Sequence, residues 1–286
     1  SSNCLLYEGA KPVFVDIEPV TLNLNPELIE GAITDKTKAI LVVDVFGYPV
    51  SMDPIISLAK HYGLAIIEDS CEALGSKIDD KMAGTESDIA VFAFYPNKQI
   101  TTGEGGMIVT DREELAVACS SMRNQGRGEN GLWLHHERLG YNYRLDEMSA
   151  ALGIVQLKRI ESIIEKREKI ARMYDERLKK YNWLTLPPRS PRVRQSWFAY
   201  VIRLDQKINR DKVMIYLQNC GIGCRPYFTP IHLQPFYQEQ FGYIPGQLPI
   251  TEQVSALTLA LPFHNHLGEE EIDYVVEKLL AAVSCQ

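Results

Sequence analysis

Two ionisable side chains stand where a rigid scaffold would aim them at one ligand. Asp69 ends the apolar run Leu64-Ala-Ile-Ile-Glu-Asp69, and Lys98 follows the run Ile89-Ala-Val-Phe-Ala-Phe94 through Tyr95-Pro96-Asn97. In a mostly parallel sheet, ligands collect beyond the carboxyl ends of the strands. One acid and one amine placed there are what pyridoxal phosphate chemistry requires. The lysine forms a Schiff base with the cofactor, and the acid holds the pyridine nitrogen protonated so that the ring accepts electrons. Taken on spacing alone, a salt bridge or a surface lysine beside a strand-end aspartate is the commoner meaning of such a pair.

The elements that must hold this pair alternate along the first 125 residues. Strands are predicted at 13–17, 39–46, 64–67, 89–94 and 106–110, and helices at 25–33, 52–61 and 112–123. Asn25-Pro26 is a helix-start signal, and Gly63 is a stop. Continuous apolar strands of this sort suit a sheet covered on both faces by helices, and the short interval before 106–110 predicts a hairpin within it. One long helix is predicted over 145–181, with Met148, Leu152, Val155, Ile160, Ile163 and Ile164 at helical spacing. Pro187-Pro188 and Pro191 then mark a linker, followed by a strand at 197–204 and helices at 210–219 and 269–283. The fold class is α/β, with a large domain at 1–145, a connecting helix at 146–182 and a small α/β domain at 183–286.

Composition narrows the function classes. Thirty Lys and Arg against thirty-seven Asp and Glu leave a net charge of −7, a surface that repels phosphate backbones and anionic lipid. Neither nucleic acid nor a membrane is an expected partner, and no uninterrupted apolar stretch is long enough to span a bilayer. Ser1-Ser2-Asn3-Cys4-Leu5-Leu6 shows no signal-peptide pattern, so a cytoplasmic location is expected. The six cysteines, at 4, 71, 119, 220, 224 and 285, lack the partner spacing of a zinc site and read as reduced thiols. The adjacent His135-His136 cannot both face one metal, so no metal is expected.

Beyond the Asp–Lys pair, a set of longer motifs occurs in order. They are Tyr7-Glu-Gly-Ala-Lys-Pro-Val-Phe-Val-Asp-Ile17, Ile67-Glu-Asp-Ser-Cys-Glu-Ala-Leu-Gly75, Phe94-Tyr-Pro-Asn-Lys98 and Gly103-Glu-Gly-Gly106. Gly140-Tyr-Asn-Tyr-Arg-Leu-Asp-Glu147, Arg225-Pro-Tyr-Phe-Thr-Pro-Ile-His232 and Leu261-Pro-Phe263 follow. Together they resemble the DegT/DnrJ/StrS family of pyridoxal-phosphate-dependent nucleotide-sugar aminotransferases, of the fold-type I architecture. The likeness runs from the first residue to the last helix.

That resemblance implies roles for particular residues. Lys98 carries the cofactor and shuttles protons, and Asp69 pairs with the ring nitrogen. Glu72 falls where the family usually has Gln beside the ring, and a carboxylate beside the phenolate oxygen would repel it unless protonated or otherwise paired. Ala93 replaces a Ser that binds the cofactor phosphate in many members. Asn142 matches an asparagine that reaches the phosphate of the other subunit, with Arg144 beside it. Taken as residues, the two also suit a turn capped before the long helix. Arg144, His232 and Tyr95 are the candidates for substrate contact; a packed loop histidine is an equal reading of His232. Gly103-Glu-Gly-Gly106 lacks a Walker ending and reads as a turn that lets the backbone pass close to the lysine loop. The chain begins after the segment in which family members carry a Gly-Ser/Thr phosphate-binding turn, so it resembles about three quarters of the family's length.

The function expected is transfer of an amino group, from glutamate as donor, to a keto-sugar nucleotide in sugar or surface-polysaccharide biosynthesis. The segment 225–232 leans toward 4-keto-6-deoxy sugars of the perosamine type. The competing reading is a catalytically inactive or regulatory fragment of the same fold. A homodimer is expected, both from the apolar Leu132, Trp133 and Leu134 before the long helix and from the implied reach of Asn142 across subunits.

Overall fold

The computed structural model describes residues 1–128 and 135–284; Leu132, Trp133 and Leu134 lie outside the described residues. In chain order come α1 (Asn3–Tyr7), β1 (Ala39–Val43), α2 (Met52–Tyr62), β2 (Ala65–Asp69), β3 (Lys77–Ile78), β4 (Lys81–Met82), β5 (Ile89–Ala93), β6 (Gly106–Val109) and α3 (Glu113–Arg123). The main sheet has the order β1-β2-β5-β6. Its first three strands are parallel and β6 is antiparallel to β5, the hairpin that the short interval predicts. α2 lays Met52, Ile55 and Ala59 on Ile40, Val42 and Ile66 of the sheet. It ends where Gly63 takes a left-handed conformation, φ 64°, and its N–H bonds back to the Ala59 carbonyl.

Several local expectations do not hold. Residues 13–17 form no strand; a single bridge joins Ile17 to Leu24, and Phe14 instead packs on the rings of Tyr237 and Tyr243, 5.3 Å from each. The apolar pattern there serves aromatic packing. Residues 25–33 form two short 3-10 turns, Pro26–Leu28 and Glu30–Ala32, although Asn25 caps the first of them as expected. The segment is too short to propagate an α-helix and contains Gly31. β1 stops at Val43 because the chain turns at Phe46, φ 58°.

The long helix is two helices, α4 (Glu147–Leu157) and α5 (Ile160–Leu178), broken at Lys158 and Arg159. No Pro or Gly marks the break; packing sets it. Ile160 and Ile163 turn α5 onto Leu74, Phe94 and Ile100, whereas α4 buries none of its residues.

The rest of the chain forms β7 (Leu184–Thr185), β8 (Val193–Arg194), β9 (Tyr200–Leu204), α6 (Arg210–Asn219), α7 (Pro235–Phe241), α8 (Pro249–Leu257), β10 (Thr258–Leu261) and α9 (Glu269–Ser284). An antiparallel sheet, β10-β9-β7, meets α5, α6 and α9 around Tyr174, Trp197, Tyr200, Leu217, Ile272 and Leu279. Before β9 the chain crosses back to the first half of the molecule, where β8 pairs with β3. The strand expected from 197 starts only at Tyr200, because Trp197 sits at φ 57°.

Asp16 ties the two halves together. Its buried carboxylate accepts from the amides of Ile250 and Thr251, both at 2.8 Å, and from the Thr251 hydroxyl at 2.6 Å, at the first turn of α8. Burial acts to raise its pKa, but these hydrogen bonds outweigh burial and hold it below the ordinary Asp value. Asp16→Ala should therefore cost about 1–2 kcal/mol at neutral pH in urea unfolding. Because the folded pKa is lowered, that stabilisation is present above the ordinary Asp range and fades as pH falls through the folded value. A difference that stays constant down to acid pH would contradict this role.

Candidate active site

The loop from Phe94 to Gly106 is closed at its base. The Phe94 amide donates to the Gly105 carbonyl (2.8 Å), and the Thr102 amide returns to the Phe94 carbonyl (2.9 Å). Gly105 has φ 147°, and a Cβ there would stand 2.5 Å from the Thr102 hydroxyl, the close approach expected of this glycine turn. Phe94 and Ile100 are buried with Leu74 and Ile163, so the loop is anchored on both sides of Lys98. The backbone N–H of Lys98 donates to the Tyr95 carbonyl at 3.0 Å.

The Lys98 amine faces two groups. Its Nζ lies 3.7 Å from Glu72 Oε1 and 4.4 Å from the centre of the Phe198 ring. The other carboxylate oxygen of Glu72 accepts from the Phe46 amide at 2.9 Å. Burial pushes the Glu72 carboxyl above its ordinary pKa, with Lys98 and the Phe46 amide pulling the other way. The carboxylate that departs from the family's Gln is thus paired. Its partner is the lysine itself.

Asp69 ends β2, next to β5, the strand that leads to the lysine loop. Its Oδ1 accepts from the Cys71 amide (3.2 Å) and its Oδ2 from the hydroxyl of Ser1, an exposed residue. Burial works to raise the Asp69 pKa, yet the hydrogen bonds from Cys71 and Ser1 leave it lowered, so the group is a carboxylate at neutral pH. The neighbouring Cys71 thiol is pushed up to about 12, first by burial and then by Asp69, and stays protonated.

Lys98, Glu72 and Asp69 are brought together; other expected residues are placed elsewhere. Tyr95 leaves half of its surface exposed beside the lysine. Asn142 and Arg144 are exposed, and their contacts are with Asn124: a backbone bridge from Asn142 and a 2.9 Å hydrogen bond from the Arg144 guanidinium. His136 meets the Gln125 carbonyl at 2.7 Å. His232 is 1% exposed, lies 3.0 Å from Glu252 and has Tyr243 beside it. A ring so enclosed presents no surface to a sugar, and the packed-histidine reading describes it.

Several neighbours of the site escaped sequence reasoning. Gln99, buried beside Lys98, donates through its amide to the Glu72 carbonyl and to the Ser196 hydroxyl (2.8 Å). Ser196 leads into Phe198, and the buried Arg167 guanidinium of α5 donates to the adjacent Trp197 carbonyl at 2.7 Å. Gly47, at φ 83°, completes this junction; a Cβ would come within 2.9 Å of the Glu72 carbonyl and the Trp197 amide. Adjacency to Lys98 was a signal for Gln99. Nothing local marks Ser196 or Phe198, which arrive from the far side of the chain.

Comparison with known proteins gives the family. The chain is 37% identical over 282 residues to the GDP-perosamine synthase of Caulobacter vibrioides, covering 98% of this chain and 75% of that protein. It superimposes with a TM-score of 0.94 on Helicobacter pylori PseC, an aminotransferase of pseudoaminic acid biosynthesis, at 30% identity over all of this chain and 77% of that one. An Escherichia coli GDP-4-keto-6-deoxy-D-mannose-3-dehydratase with bound hydrated PLP matches with a TM-score of 0.86 at 30% identity, over 96% of this chain and 75% of that one. The chain thus spans about three quarters of the length of the relatives it matches. The fold is that of the fold-type I sugar aminotransferases. With the family profile matching residues 1–280, the chain belongs to the DegT/DnrJ/EryC1/StrS aminotransferase family.

Proposed function

We propose that the protein transfers an amino group, with glutamate as donor, to a nucleotide-linked keto sugar, a 4-keto-6-deoxy sugar of the perosamine type being favoured. The observation that carries this reading is the Lys98 amine, held against Glu72 in a closed loop after β5, with an ionised Asp69 at the end of the neighbouring strand β2. That donor set fits pyridoxal 5'-phosphate: an amine for its aldehyde carbon and a carboxylate for its ring nitrogen. When bound, the cofactor supplies the carbonyl that takes up the amino group and a ring that withdraws electrons.

The chain's own residues do the remaining work. Lys98 Nζ would hold the cofactor, and its amine would carry a proton to and from the substrate carbon. Asp69 keeps the ring N–H in place. Glu72 pairs with Lys98 across 3.7 Å, and the Phe198 face shields the amine from water on one side. Tyr95 and Arg144, both exposed, are the substrate-facing residues of the proposal. A lysine at 98 separates the chain from dehydratases of the family, which the resemblance describes as carrying His there. The contact of Lys98 with Glu72 favours a working site over an inactive relic.

Two copies complete the site in this reading. α4 buries nothing and exposes Met148, Leu152, Ile154, Val155 and Leu157, with Leu139 and Tyr143 exposed before it. So much exposed apolar surface favours a contact, and a homodimer would let Asn142 reach the partner's cofactor phosphate. The free thiols of Cys4, Cys71, Cys119, Cys220 and Cys224 suit the reducing cytoplasm.

The test is direct. Protein supplied with pyridoxal phosphate, glutamate and GDP- or TDP-linked 4-keto-6-deoxy sugars should yield an amino sugar nucleotide by mass spectrometry, together with 2-oxoglutarate. Cofactor binding with no amino sugar from any of these substrates would overturn the assignment.

A further inference from the structure

Behind the site lies a second acidic pair that amino transfer leaves unused. Asp44 follows β1 and is fully buried, and Glu68, 1% exposed, sits one residue before Asp69. Alternation along β2 sends Glu68 to the face opposite Asp69. Asp44 Oδ1 accepts from the Val50 amide (2.8 Å) and Oδ2 from the Ser70 hydroxyl (2.7 Å). Glu68 Oε1 accepts from the Gly84 amide (2.6 Å) and lies 3.3 Å from the same Ser70 hydroxyl. Glu68 Oε2 is buried without any partner. The backbone closes the arrangement, because the Asp44 amide donates to the Asp69 carbonyl at 3.1 Å.

The charges on this cluster do not balance. β2 contributes Glu68, the loop after β1 the Val50 amide, the loop after β2 the Ser70 hydroxyl, and the turn before β5 the Gly84 amide. Among the described residues no Lys, Arg or His forms an ion pair with either acid, and Asp69 is directed to the Cys71 amide. Two enclosed carboxylates without a cation repel each other strongly, and such pairs keep a proton. Ser70 has a single hydroxyl proton, and the short bond to Asp44 uses it. Glu68 Oε2 is left without a donor, so a proton held on this pair is the remaining way to relieve the cluster.

We propose that Asp44 and Glu68 share one proton at neutral pH and act as positioning residues, locking the end of β2 that presents Asp69. Burial first, and the Glu68 charge second, push the Asp44 carboxyl up to about 7, in keeping with that arrangement. The trapped proton stands apart from the proposed function; the positioning role rests on it.

The sign of the pH effect follows from linkage. Unfolded Asp44 ionises near the ordinary value of about 4, while in the folded state burial and the nearby Glu68 raise Asp44 to about 7. Between these values the folded state holds the extra proton, so stability falls as pH rises and levels off above. Asp44→Asn removes the titrating carboxyl and puts a permanent amide donor in its place. Its melting temperature should match the wild type near pH 4 and exceed it increasingly toward pH 7. A difference that does not change with pH overturns the shared proton. If the variant fails to fold, infrared spectra of the wild type decide: a buried carboxylic-acid C=O band present at pH 6 and lost in mild alkali is expected, and its absence refutes the proposal. Positioning is read separately as affinity for pyridoxal phosphate, weakened by Asp44→Ala and restored by Asp44→Asn. An Ala variant that binds as tightly as the Asn variant leaves the pair no positioning role.

Discussion

Lys98→Ala should abolish amino transfer and leave the protein folded. Loss of a positioned proton carrier alone removes about 10²–10⁴-fold in rate, and loss of the covalent hold on the cofactor adds to it. The fold has little stake in this side chain, whose ammonium contacts only the Glu72 carboxylate and the Phe198 ring at the distances given. Burial already raises the Glu72 pKa, and removing the Lys98 amine takes away one of the groups that pull it down, while the Phe46 amide still holds the carboxyl. Turnover and urea unfolding measured side by side provide the check; measurable turnover near the wild-type rate would remove Lys98 from the chemistry. Asp69→Asn is the milder counterpart, retaining cofactor while losing most turnover, because an amide does not hold the ring nitrogen protonated.

A charge placed on α4 should take the protein apart. Leu152 and Val155 lie on adjacent turns and are 43% and 55% exposed in the single chain. If this face meets a second copy, an Arg at 155 is buried there without a partner, at a cost on the order of 3 kcal/mol, or about 10²-fold in association. Val155→Arg should sediment as a monomer at concentrations where the wild type is a dimer, and its affinity for pyridoxal phosphate should fall with the dimer. An unchanged sedimentation coefficient would exclude this face as the contact. A monomer with full cofactor affinity would show that Asn142 does not act across subunits.

Sequence periodicity was most informative where burial is two-sided and local. The runs ending at Asp69 and before Lys98 read as strands of a mostly parallel sheet, and the structure pairs them in parallel. The hairpin to β6 and the stop at Gly63 were equally readable, since each depends on a few neighbouring residues. Interactions set by distant chain were not. Helical periodicity passes through Lys158 and Arg159, and only the docking of Ile163 on Phe94 and Ile100 explains why the helix breaks there. Residues 13–17 have the composition of a strand, but Phe14 is spent on Tyr237 and Tyr243. For His232 a ligand contact and a packed loop position were equal readings, because its partner, Glu252, belongs to α8. Glu72 carried the most useful contradiction: a carboxylate that seemed wrong beside the cofactor proves to be held by Lys98 and the Phe46 amide.

The central claim is that Lys98 is the residue to which the cofactor attaches, and reductive trapping tests it most directly. The protein is incubated with pyridoxal phosphate, reduced with borohydride, digested and mapped by mass spectrometry. The account predicts the cofactor's mass on the peptide containing Lys98, and no labelled peptide in Lys98→Ala. A stoichiometric label on any other lysine, or none on a protein that has bound the cofactor, would contradict it.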